Sequence, residues 1–117
     1  MKLLYCWRCH AQVPMMNEAE FREVQGAYRT ALQGIKSYRQ RHNVGIEDTP
    51  VARFHRPVHA AYHRLAKAAG FDAPLVSVHH VLKHRLASYG PACGRCGLPL
   101  RTPDARRCAA CGAKRAA

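Results

Sequence analysis

Residues 93–112 read CGRCGLPLRTPDARRCAACG: two C-x-x-C pairs, Cys93 with Cys96 and Cys108 with Cys111, separated by a short loop rich in Pro and Arg. Two such pairs at this distance place four thiolates tetrahedrally around one Zn²⁺, and four soft sulfurs with no position left for water define a structural site. Glycines after Cys93, Cys96 and Cys111 let backbone N–H groups turn toward the sulfurs and spread their excess negative charge. Leu98 to Leu100 and Arg106 to Cys108 are then expected as the two short strands of a zinc ribbon. An iron–sulfur centre and a redox dithiol pair are the competing uses of the same cysteines. So small an element has almost no apolar core of its own, so bound metal has to supply its folding energy.

The composition changes at Pro91 from helix-forming to Gly, Pro, Cys and Arg, which divides the chain into a helical core over 1–90 and a ribbon over 91–117. The expected fold is mainly α, a small three- to four-helix core carrying a C-terminal zinc ribbon and an N-terminal Cys knuckle. A first helix should begin at Glu18, because Asn17 can cap it while Glu20 reaches back as the capping-box acid, and Asn43 and Gly45 should end it. Phe21, Val24, Tyr28, Leu32, Ile35 and Tyr38 recur at three- and four-residue spacing and mark its buried face. A second helical pattern runs from Thr49-Pro50 to Gly70, with Val58, Tyr62, Leu65 and Ala69 on one face and an expected break at Pro57. A last helix is expected from about Pro74 to Ser88, with Leu75, Val78, Leu82 and Leu86 facing inward and Gly90-Pro91 as its terminator.

The N-terminal CWRCH has three chemical readings: a haem attachment signature over Cys6, Cys9 and His10, a redox dithiol, or half of a zinc site. Haem is attached outside the cytoplasm and nothing in the sequence points to export, while a reactive dithiol needs a βαβ context that is missing. Zinc needs two more ligands. His80 and His84, four apart on the last expected helix, would complete a Cys2His2 site with Cys6 and Cys9; sets using His10, His59 or His63 compete with it. Such a closed site would be structural. With no paired general base and no nucleophile motif, the sequence reads as a non-enzyme with no catalytic residues.

Nineteen Lys+Arg against seven Asp+Glu give a formal charge of +12, which favours polyanionic partners. Arg95, Arg101, Arg106, Arg107, Lys114 and Arg115 surround the ribbon with only Asp104 to offset them, a candidate phosphate-contacting face. The leading expectation is therefore DNA or RNA binding. A protein partner, with the chain as an adaptor or an antitoxin- or immunity-like module and its zinc purely structural, is the alternative. Leu3 to Tyr5 is too short for a signal-peptide core and no apolar run reaches membrane-spanning length, so a cytoplasmic protein without a membrane partner is expected, with its thiols reduced and free for metal.

The opening "YCWRC…VPMMNEAEF" and the ending "HRLASYGPACGRCGLPLRTPDARRCAACG" resemble those of a group of small bacterial zinc-ribbon proteins of no known activity. The likeness covers both ends of the chain and leaves the middle loosely matched. Met16 and Ala92 depart from the Leu and Pro of that pattern, without touching a cysteine. The resemblance implies two cysteine clusters and a bacterial cytoplasmic origin, and it places His84 within a shared HRL motif. It implies no activity.

Overall fold

The computed structural model describes residues 1–115. The chain opens with a β-hairpin, β1 (Lys2–Cys6) antiparallel to β2 (Ala11–Met15), in register from Lys2 opposite Met15 to Cys6 opposite Ala11. That register pairs Leu4 with Val13, and together with Cys6, Met15 and Tyr89 they form a small apolar cluster. A four-residue turn, Trp7 to His10, joins the strands and carries the first knuckle.

Helix α1 (Glu18–His42) starts where its capping box places it: the Asn17 side chain accepts from the Glu20 N–H, and the Glu20 carboxylate accepts from the Asn17 N–H, each at 2.9 Å. Asn43 closes it in the left-handed conformation at φ 51°. After a short 3₁₀ turn (Ile46–Asp48), α2 (Val51–Ala68) returns along α1. The contacts run antiparallel, with Arg64 paired to Glu23 at one end and Phe54 stacked edge-on to Tyr38 at the other. Gly34 is needed for this approach, since a Cβ there would stand 2.8 Å from the Phe54 ring. Phe21, Val24, Ala31, Val58 and Tyr62 fill the seam, joined by Met16, Val78 and Val81. Within the two amphipathic faces, Ala31 and Ala66 are buried where Leu32 and Ala69 were expected; Leu32 is exposed.

Four expectations need correcting. The mainly α description is met only in part, because three helices share the described residues with the two-stranded hairpin. Helix α2 does not break at Pro57. Pro57 lies on its exposed side, and an unbroken helix buries Val58 and packs Phe54 against α1 at once.

The expected helix from Pro74 to Ser88 shrinks to the single turn α3 (Val78–Val81), capped by Ser77, with a 3₁₀ turn over Leu86–Ser88. Leu75, expected inward, is 93% exposed. The cause lies outside the segment. Met16 donates its N–H to His84 O at 2.7 Å and accepts from the Leu86 N–H at 2.9 Å, a parallel bridge that draws residues 84–86 out of helical geometry. This satisfies backbone groups at the end of β2 and buries Met16, which outweighs the helical pattern.

The ribbon, finally, has single bridges, Ala92 with Pro99 and Arg107 with Lys114, in place of strands. Of the stretch expected to form it, residues 116 and 117 lie outside the described residues. It docks on the hairpin through the Trp7 indole N–H, which donates to Pro99 O at 3.1 Å.

Candidate metal centres

The two halves of the ribbon are built alike. In each, the residue after the second cysteine is a glycine at positive φ, Gly97 at 81° and Gly112 at 75°. Its N–H donates back to the carbonyl of the first cysteine, Gly97 to Cys93 and Gly112 to Cys108, both at 2.9 Å. The N-terminal C-x-x-C has the same geometry: His10 sits at φ 53° and donates its N–H to Cys6 O at 2.8 Å. Three knuckles of one design are therefore present. In His10 the left-handed conformation is adopted by a residue with a Cβ, and its ring turns toward Tyr5 rather than the sulfurs, with Nδ1 3.5 Å from the phenol oxygen.

Cys93, Cys96, Cys108 and Cys111 bring their sulfurs within 4.8 Å of one another and could hold a metal ion. Cys93 Sγ lies 3.7 Å from Cys111 Sγ, and Cys96 Sγ 3.5 Å from Cys108 Sγ. A regular tetrahedron with zinc–sulfur bonds of about 2.3 Å has edges of about 3.8 Å, so the arrangement is compatible with zinc. The leading cysteine of each ribbon knuckle is tuned toward thiolate. Backbone N–H groups of Cys96 and Arg95 bring Cys93 down to about 6, and those of Cys111 and Ala110 lower Cys108. For Cys6, burial opposes ionisation, but hydrogen bonds from Tyr89 and from the N–H groups of Cys9 and Arg8 outweigh it.

The second group is Cys6, Cys9 and His84, again within 4.8 Å. Cys9 Sγ stands 3.3 Å from His84 Nε2. On its other side, the imidazole Nδ1 is 3.0 Å from the Tyr62 hydroxyl, which donates to Pro14 O at 2.7 Å. Tyr62 has one proton to give and the carbonyl can only accept, so Nδ1 must carry the proton donated to Tyr62. Nε2 is thereby left with its lone pair toward the cysteines. This is the outer-shell arrangement that fixes the tautomer of a metal-bound histidine. Burial, with smaller contributions from His80 and Arg8, pushes His84 down to about 4, so the ring is neutral at physiological pH.

The cysteine part of the expected ligand set comes together; the histidine part does so only for His84. His80 does not join the group, and neither do His10, His59 or His63. His80 and His84, four apart, share a face only within a continuous helix, and α3 ends before His84. His84 reaches the knuckle through the Met16 bridge instead. Tyr62 and Tyr89, which hydrogen-bond to these candidate ligands, were not legible as site residues, since only tertiary packing brings their hydroxyls there.

The six expected partner-contacting cations, Arg95, Arg101, Arg106, Arg107, Lys114 and Arg115, are all exposed. Arg101 and Arg107 line a cavity of about 390 Å³ between the N-terminal knuckle and the ribbon, together with Trp7, Arg8, Tyr89 and Thr102. Lys114 and Arg115 border a second one of about 330 Å³ beside Cys93. Among the described residues no helix is long and apolar enough to cross a membrane. Compared with known proteins, the chain matches no family model, no curated protein and no solved structure.

Proposed function

We propose that this chain is a small zinc protein that binds nucleic acid, with both cysteine clusters metal-loaded and the ribbon as the binding face. The observation that carries the reading is the cleft between the two metal centres. Arg8, Arg101 and Arg107 line it together with Trp7, and no carboxylate is among its lining residues. Guanidinium groups fork onto phosphate oxygens, and an indole fixed by its own hydrogen bond offers a surface to an unstacked base. In this reading zinc itself does no chemistry on the partner. It holds Arg8 on one wall and Arg101 and Arg107 on the other.

Binding of single-stranded and duplex DNA and RNA to the zinc-loaded full chain, measured across a salt series, tests the proposal. Neutralising three phosphates predicts a fall in affinity with log–log slope of about −2 to −3. Retention of no nucleic acid at low salt, or a protein partner captured with salt-insensitive affinity, overturns it in favour of an interaction module.

A further inference from the structure

We infer that the Cys6/Cys9/His84 centre takes three ligands from the chain and its fourth from a small thiol bound as thiolate, entering beside Cys9. The inference rests on the reading that this centre holds zinc. Cys6 and His84 are completely buried and Cys9 is partly exposed, so only the Cys9 side of the ligand group faces outward. That side borders a cavity of about 480 Å³ with walls from Val13, Ala73 and Val76 and polar groups from Arg8, Gln12, Asp72 and His80. His80 stands in the cavity but outside the ligand group, because the chain leaves helical geometry before His84.

Charge distinguishes the two centres. Four thiolates on Zn²⁺ leave the ribbon centre at −2 and coordinatively closed. Two thiolates and a neutral imidazole balance Zn²⁺, so an added anion meets a neutral metal, in a cavity whose one cation, Arg8, is offset by the one carboxylate, Asp72. Cys2His with one exchangeable position is a known composition of open zinc sites, and a third sulfur converts it to Cys3His, a stable zinc donor set. On binding, the thiol S–H bond would break, the sulfur lone pair would go to the metal, the proton would go to solvent and the water in the fourth position would leave. No electron is transferred. The apolar walls accept a short alkyl tail.

The full chain loaded with Co²⁺ tests this, with the saturated ribbon centre as internal control. Two cobalt per chain are expected; one per chain removes the metal reading on which the inference rests. With both bound, butanethiol should change the visible ligand-field bands saturably, pentanoate, with the same butyl tail, should need higher concentration, and Arg8→Ala should weaken thiol binding a few-fold. Absence of any thiol-dependent change with two cobalt bound overturns the inference while leaving the metal reading intact. His80→Ala, at a position outside the core, should leave the thiol-free spectrum unaltered. A changed spectrum would make His80 the fourth ligand and equally overturn it.

Discussion

At the scale of single residues, the second candidate metal centre depends on a hydroxyl outside its Cys6, Cys9 and His84 group. Tyr62 is fully buried, and its hydrogen bonds to Pro14 O and His84 Nδ1 determine which imidazole nitrogen faces Cys9. Tyr62→Phe keeps the ring and its packing but releases that constraint. We expect a loss of about 1–2 kcal/mol in stability and of about tenfold or more in metal affinity at this centre alone, read by competition with a chromophoric chelator. Protonation acts on the same ring. In the metal-free chain His84 titrates near 4 when folded and about 6.5 when unfolded. Between these values the unfolded chain holds the extra proton, so stability rises with pH across the window and falls on acidification from about 6.5 to 4. The loss should be up to about 3 kcal/mol, seen in urea midpoints measured on the metal-free protein, and should vanish in His84→Gln.

At the scale of elements, local pattern and tertiary demand agree in α1 and conflict elsewhere. The Asn17/Glu20 box sets the start of α1 by itself, and Asn17→Ala should cost about 1 kcal/mol. Pro57 shows a helix tolerating a residue that disfavours it, because the lost bond to Arg53 O is outweighed by burying Val58 and packing Phe54 on one continuous face. Replacing it should recover part of that loss: Pro57→Ala is expected to stabilise the chain by roughly 1–3 kcal/mol in urea unfolding, without changing metal content. Helix α3 is the opposite case. Its pattern continues to Leu86, but the bridge to Met16 ends it and so delivers His84 to the hairpin.

At the scale of the molecule, the chain is long and thin. Its radius of gyration is 17.0 Å, with extents of 55 × 30 × 21 Å, against about 13 Å for a compact chain of this length. Among the described residues the apolar side chains fall into three clusters, around the helices, around the first knuckle and within the ribbon, and the ribbon's buried residues are Cys93, Pro99, Leu100 and Cys108. Metal removal should therefore act unevenly. Chelation is expected to collapse ribbon and knuckle resonances in NMR spectra while α1 and α2 retain most of the far-UV helical signal. A fully cooperative loss of both would show that the helical hairpin has no stability of its own.

The ribbon cysteine cluster, the capping of α1, the amphipathic faces of α1 and α2 and the basic surface were legible in the residues, because each depends on neighbours a few positions apart or on composition. The hairpin was not, since its strands are five residues each and their burial does not alternate: Val13, Pro14 and Met15 are buried in succession. The choice of His84 over His80 was not legible either. Spacing made the two equivalent, and only the pairing of residues 84–86 with Met16, together with the Tyr62 hydroxyl behind the ring, separates them. Cys6 and Cys9 by themselves thus specify a knuckle that needs completing. Which residue completes it is decided by contacts across 75 residues of sequence, where no local spacing rule operates.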